Sequence, residues 1–567
     1  MTINTALKLR IVAFVFILLG GILVSRLYFL QIVQGSAYRE RADHRYPAEY
    51  LFDRGSIFFK TNNEELVAAA TLKTSYFIYF NPSLTKNPDD IYQALAPMVE
   101  IDRSDFMMKA GKIGDSYEEF AHGLTEEAAA RIKQAAIPGI EVSTERHRFY
   151  PAGSLAATAI GFVAYKGDSL GGRYGLEQYY EDILFREGNK SYANFFADIF
   201  KGLNKVVSKN ESLEGNLVLT LEPTVSGELE KTLKDFNAVW NSELAGGIIM
   251  DPKDGAVIAM AVNPTFDLNN FQSVSDPRIF GNPLVENVYE MGSIVKPLTL
   301  AAGLDAGVIK LSSTYDDRGF LELNGRRISN FDGRGRGVVS MQEVLNQSLN
   351  TGAAFVALKM GKERFADYFK RFGLGEETGI DLPNETHGLM ENLDSPRDIE
   401  LATASYGQGI AFTPIETARA MAVLGNGGYL VNPHLVSAID YDVGISRKKS
   451  YENVAQVIKR ETSEEITRML VEVVDSALAH GKFKMERFSI AAKTGTAQMA
   501  NPEGGGYFED EYLHSFFGYF PAYQPKFLIF LYTVNPRGAM FASETLTRPF
   551  FDLTKFLLNY YNIPPDR

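Results

Sequence analysis

The sequence predicts an α+β protein: one N-terminal membrane-spanning helix, a mixed middle region, and a C-terminal domain whose mostly antiparallel sheet is flanked by helices. Three observations predict it. Leu9 to Leu30 reads LRIVAFVFILLGGILVSRLYFL, with charges only at Arg10 and Arg26. Gly246 to Val262 reads GGIIMDPKDGAVIAMAV, two β-rich runs around an Asp-Pro-Lys-Asp-Gly turn. Two more strand candidates, SIAAKTGTAQM and KFLIFLYTV, lie far downstream, with helical stretches between. Strands at both ends of a segment suggest one sheet assembled from distant parts of the chain. Local hairpins make such a sheet antiparallel, with helices on both faces.

The unbroken apolar core of the first segment, Ile11 to Val24, would alone suit a signal peptide. No convincing A-x-A cleavage site follows it. Arg26 lies near one end, where its stem can snorkel to the interface, so that about 20 helical residues span a bilayer core. An uncleaved single-pass anchor is expected. Lys8 and Arg10 before it are matched by Arg39, Arg41 and Arg45 after it, so charge does not set the orientation.

The middle region, to about Gly215, mixes an extended run (SYFIYFNPS) with a polar helical one (LTEEAAARIKQAA). It also holds DRGSIF at Asp53–Phe58, RFYPAGSLAATAIGFV at Arg148–Val163 and GRYGLEQYYEDIL at Gly172–Leu184. By pattern alone these are turns, a short helix and an amphipathic helix. Further on, FTPIETARAMAVLGNGG carries a capping box of Thr413 and Glu416 with Pro414 in the first turn, and it stops at Gly425-Asn426-Gly427. PFFDLTKFLLNYY reads as a terminal helix.

Lysine and arginine number 57 against 70 acidic residues, a net charge of −13, which argues against a nucleic-acid surface. No cysteine is present, which excludes disulfides and thiolate metal sites. The histidines (His44, His122, His147, His387, His434, His480, His514) are scattered without ligand spacing, so no metal and no cofactor is expected.

Chemistry is carried by three short motifs in order: Ser293-Ile-Val-Lys296, Ser348-Leu-Asn350 and Lys493-Thr494-Gly495-Thr496. Alone each is cheap. Ser-x-x-Lys recurs at Ser83/Lys86 and Ser446/Lys449, where a solvated loop explains it better, and Ser-x-Asn recurs at Ser208/Asn210. Their order is what makes the set specific. In a helix beginning near Ser293, residues i and i+3 share a face, so Lys296 Nζ can reach Ser293 Oγ, and Pro297 fits that start. A lysine in an apolar pocket near another cation favours its neutral form and can serve as base, which makes Ser293 a nucleophile without a histidine. The Ser293 and Thr496 N–H groups suit an oxyanion hole. A strand carrying Lys-Thr-Gly offers a sheet edge to an extended peptide, which Gly495 would let approach closely. Lys493 with the Thr494 and Thr496 hydroxyls suits a carboxylate. Ser348 would relay a proton to a leaving amine, and Asn350 would hold a substrate amide.

With these motifs the sequence resembles the penicillin-binding proteins, specifically the monofunctional class B D,D-transpeptidases of peptidoglycan synthesis. DRGSIF, RFYPAGSLAATAIG and GRYGLEQYYEDIL look like that family's pedestal motifs, and GGIIMDPKDGAVIAMAVNPTFDLNNF looks like the opening of its transpeptidase domain. The resemblance implies a penicillin-binding, serine β-lactamase-like fold in three parts: tail and anchor at 1–33, a pedestal (dimerisation-like) domain at 34–217, and the transpeptidase domain at 218–567. It implies that Ser293 is acylated by the penultimate D-Ala carbonyl of a stem pentapeptide, with Lys296 as base. Terminal D-Ala leaves, and an amine of a neighbouring stem then takes the acyl group. Penicillin and other β-lactams acylate the same serine. It further implies a single-pass protein of the cytoplasmic membrane with its catalytic domain outside. Its substrate there is glycan from a lipid-linked precursor, and its partner is a polytopic glycosyltransferase. FGLGEETGIDLPNETHG and HSFFGYFPAYQPKFLIFLYTV look more like the septal, division-type branch than the elongation-type branch. A serine β-lactamase or carboxypeptidase is the rival enzymatic reading, against which stand the membrane span, the pedestal and the lack of a deacylating glutamate motif. A membrane-anchored sensor or scaffold that keeps the acylation fold is the non-enzymatic one.

Overall fold

The computed structural model describes Leu18 and residues 52–186 and 214–567, apart from 86, 113, 114, 116, 168, 452, 453 and 502–504. Among the described residues no helix is long and apolar enough to cross a membrane, and the expected anchor, Leu18 excepted, lies outside them.

The chain forms two compact units. The smaller, within residues 74–147, pairs the end of strand Leu66–Phe80 with Glu118–Leu124. Helices Pro88–Leu95, Arg103–Ala110 and Glu126–Ala135 close a core around Ile78, Phe80, Leu95, Phe106, Phe120 and Ile132. The last helix is the expected LTEEAAARIKQAA segment, capped by the Thr125 side chain.

The larger unit comprises residues 54–73, 148–187 and 193–567. Its centre is a five-stranded antiparallel sheet of β1 (Leu244–Met250), β2 (Val257–Asn263), β3 (Ala491–Ala500), β4 (Tyr507–Phe520) and β5 (Phe527–Val534), in the order β3-β4-β5-β1-β2. The hairpin over Asp251–Gly255, the distant pairing and the antiparallel sense are as expected. Strand β4 is the one the sequence did not announce: its first half, YFEDEY, carries three carboxylates and is exposed or only partly buried, and only from Leu513 is it buried throughout. Period-two alternation divides the sheet's two faces. Ile249, Ile529 and Leu531 pack with α1 (Pro223–Trp240) and α6 (Thr547–Tyr560). Ile248, Met250, Leu528 and Phe530 face the core shared with α2 (Lys296–Asp305), α4 (Pro414–Gly425) and α5 (Arg460–Glu472). Buried on both sides, β5 reads as an unbroken apolar run. The capping box that starts α4 is formed by Thr413 and Glu416.

Three motifs of the middle region converge on one buried carboxylate. Glu177 accepts from Arg54 Nε (2.6 Å), Arg148 Nε (2.6 Å) and Tyr150 OH (3.3 Å), and Arg54 also reaches Glu181 at 2.7 Å. Arg148 further donates to Gly55 O at 2.8 Å. The expected amphipathic helix over Gly172–Leu184 is two short ones, Gly175–Tyr179 and Glu181–Leu184, broken at Tyr180. The break lets Tyr180 OH donate to Asp381 at 2.9 Å.

Candidate active site

The nucleophile candidate sits where a 3₁₀ turn, Gly292–Val295, runs into α2. Pro297 occupies the first turn of α2, as expected, and residues 296–303 are all buried. Lys296 is 0 % exposed, and its Nζ lies 2.8 Å from Ser293 Oγ, 2.7 Å from Ser348 O and 3.1 Å from Ser348 Oγ. No carboxylate contacts it among the described residues, and its Nζ lies 5.9 Å from the centre of the Tyr406 ring. Burial, and secondly the charge of Lys493, hold its pKa well below that of free lysine.

Ser348 lies between helix Met341–Asn346 and α3 (Asn350–Met360), with φ of 53°. That left-handed backbone, costly for a residue with a Cβ, turns both its carbonyl and its hydroxyl to Lys296. Asn350 opens α3 and donates from Nδ2 to Ser329 O at 2.9 Å. Behind it, Asp317 accepts from Asn330 Nδ2 and from Thr351 Oγ1 (2.8 Å), which fixes the start of α3.

The third motif is on β3, an edge strand of the sheet. Lys493 is buried, its Nζ 3.1 Å from Ser348 Oγ, and it donates to Thr494 O at 2.9 Å. Burial lowers its pKa to about 7. Ser293, Lys296, Ser348 and Lys493 thus form one chain of contacts drawn from three distant segments. Two of the motif's residues also contact neighbouring elements. A Cβ on Gly495 would lie 2.4 Å from Ser515 Oγ and 2.7 Å from Met291 O. The glycine therefore admits the nucleophile-bearing segment on the sheet face. The Thr496 hydroxyl accepts from Ala542 N at 3.0 Å, at the start of the short helix Ala542–Thr545, a bond that leaves its proton available to a carboxylate.

Sequence reasoning missed the residues that hold Ser293 in place. Gly292, with φ of 63°, donates to Gly407 O at 3.0 Å. A Cβ on Gly407 would lie 2.3 Å from Gly292 O. Glu290 accepts from Tyr507 OH at 3.0 Å, and burial raises its carboxyl to about 7. The signal available was Tyr406-Gly-Gln-Gly409 just ahead of a capped helix, where two close glycines mark positive φ. Of the other Ser-x-x-Lys pairs, Ser446 sits on an exposed strand, whereas Lys449 is partly buried over the Tyr180 ring at 4.8 Å and is not the solvated loop residue expected.

The geometry has counterparts elsewhere. Residues 245–552 match the family model for the penicillin-binding protein transpeptidase domain, and residues 53–219 match that for the penicillin-binding protein dimerisation domain. The chain is 30% identical over 553 residues to stage V sporulation protein D of Bacillus subtilis, covering 94% of this chain and 83% of that protein. It is 27% identical over 452 residues to the peptidoglycan D,D-transpeptidase FtsI of Escherichia coli, covering 79% of this chain and 73% of that one. In three dimensions it is similar to penicillin-binding protein 3 of Mycobacterium tuberculosis in complex with aztreonam. The TM-score is 0.67 and the identity 22%, over 91% of this chain and 98% of that one.

Proposed function

Because the chain belongs to the penicillin-binding protein transpeptidase family, we propose that it is a serine D,D-transpeptidase that cross-links peptidoglycan stem peptides. The reading is carried by one observation: a fully buried lysine with no counter-ion among the described residues, 2.8 Å from Ser293 Oγ and 3.1 Å from Ser348 Oγ. Neutral Lys296 takes the Ser293 proton as Oγ bonds to the penultimate D-Ala carbonyl carbon. The bond to terminal D-Ala then breaks, and its nitrogen takes a proton passed from Lys296 through Ser348. An acceptor amine attacks the resulting ester. Its proton goes to Lys296 and on to the departing Ser293 Oγ, so one amide replaces another with no redox change. The Ser293 and Thr496 N–H groups hold the oxyanion, each donor worth about 10²–10³ in rate. Lys493 orients Ser348 and, with Thr494 and Thr496, takes the terminal carboxylate; Asn350 holds a substrate amide.

The finer reading is a septal enzyme anchored in the cytoplasmic membrane by Leu9–Leu30, acting beside a polytopic glycosyltransferase. Fluorescent penicillin is expected to label the full chain covalently, and Ser293→Ala to abolish the label; labelling that survives the substitution refutes the assignment. In the native cell a fluorescent fusion should gather at the division plane, and a sidewall pattern would instead assign it to elongation.

A further inference from the structure

A second concavity, of about 560 Å³, lies between the start of α5, the Gly425–Tyr429 turn that ends α4, and the turns at Lys253 and at Ala522–Lys526. Its volume is that of a small-ligand site. Four cations line it: Lys253, Arg460, Arg468 and Lys526. Only Arg460 is paired, with Glu464 at 3.0 Å; the other three form no ion pair among the described residues. Asp251, beneath Lys253 and Lys526, offsets part of their charge, yet burial raises its carboxyl to about 6. In a chain of net charge −13 such a convergence is not the general surface, and it favours an anion with several oxygens. Two exposed rings, Tyr429 (39 % exposed) and Tyr523 (54 %), add flat apolar faces beside the cations.

We propose that this concavity is a second, non-catalytic binding site for the carboxylate-terminated stem peptide of peptidoglycan, which it holds while another stem occupies the catalytic cleft. The identity of the ligand rests on the transpeptidase reading above. The site also touches the catalytic frame. Thr467 in its wall shares a 2.9 Å hydrogen bond with Tyr519 of β4, which pairs with Ala491 of β3. Thr462, also on α5, donates to Asp305 (3.0 Å) at the end of the helix that Lys296 begins.

The test uses the full chain in detergent, first acylated with penicillin so that the cleft is filled, and then titrated with muramyl pentapeptide. Saturable binding of one equivalent is expected, weakened about tenfold or more in Lys253→Glu/Arg468→Glu. That variant should acylate with penicillin at the wild-type rate, which shows it folded. Muramyl pentapeptide with a C-terminal amide should bind more weakly. The proposal is overturned if the acylated protein does not bind, or if charge reversal leaves affinity unchanged. It is equally overturned if inorganic phosphate or anionic phosphatidylglycerol vesicles displace the peptide at equal concentration, which would mark a generic anion patch. Failure of penicillin to acylate would instead refute the transpeptidase reading, so the two failures are distinguishable.

Discussion

Replacing Gly292 by alanine should damage catalysis without touching any reacting group. Its φ of 63° lies where a Cβ costs about 1–2 kcal/mol. The added atom would sit 2.6 Å from Thr496 O, 2.8 Å from Thr496 C and 3.1 Å from Ala497 N. All three belong to β3 backbone and cannot swing aside, so the turn and the strand must separate. Overpacking of this kind costs a further 1–3 kcal/mol, roughly. The separation pulls Ser293 away from the strand that would present the substrate, and displacements near 1 Å cost about 10²-fold in rate. Gly307→Ala is the control: its φ is 69°, but nothing lies within 4 Å of the new Cβ. It should lose about 1–2 kcal/mol of stability and no activity. The assay is the second-order rate of acylation by fluorescent penicillin, read beside the thermal unfolding midpoint. A Gly292→Ala enzyme that acylates at the wild-type rate, or a Gly307→Ala enzyme equally impaired, would refute the argument.

Other consequences follow from charge and burial. Acylation needs neutral Lys296, so its rate should rise with pH through the apparent pKa of the lysine pair; Lys493→Met removes the like charge that lowers Lys296 and should move that limb to higher pH. A limb that stays put or moves down in a pH–rate profile would deny the coupling. Glu177→Gln removes the charge that neutralises Arg54 and Arg148 and should cost about 3–5 kcal/mol in denaturant unfolding; a loss under 1 kcal/mol would show the cluster solvated, roughly. Buried His514, bonded to Thr545 Oγ1 and Met540 O, has its pKa lowered by burial from 6.5 to about 4. The unfolded chain therefore binds the extra proton first, and stability present above pH 6.5 should fall by about 3 kcal/mol on acidification to pH 4. Equal pH slopes for His514→Asn and the wild type, in unfolding measured across that window, would rule this out.

What the sequence could disclose was whatever leaves a local periodic or turn signature. The β1–β2 hairpin, the capping box of α4 and the apolar run of β5 each write their reason into neighbouring residues. The three motifs were legible as a set because serine, lysine and glycine are the types the chemistry needs. Their meeting was not derivable from spacing: it depends on the turn before α2 packing directly on β3 at Gly495 and Thr496. The convergence of Arg54, Arg148 and Tyr150 on Glu177 was equally hidden, since each partner looks like an ordinary turn or helix residue. The packing of Gly495 against Met291 and Ser515 was hidden for a related reason. A glycine announces that something comes close, not which side it comes from.

The outermost place of β3 in its sheet has a consequence for selectivity. Main-chain groups along that border can be matched by almost any stretched-out polypeptide, since such pairing ignores side-chain identity. On the proposed reading, discrimination between the proper donor and a stray strand falls to the opposite wall, where Ser348 and Asn350 stand, and to Lys493, which takes a terminal acid. A single row of amides supplies grip, and a few converging polar atoms supply choice.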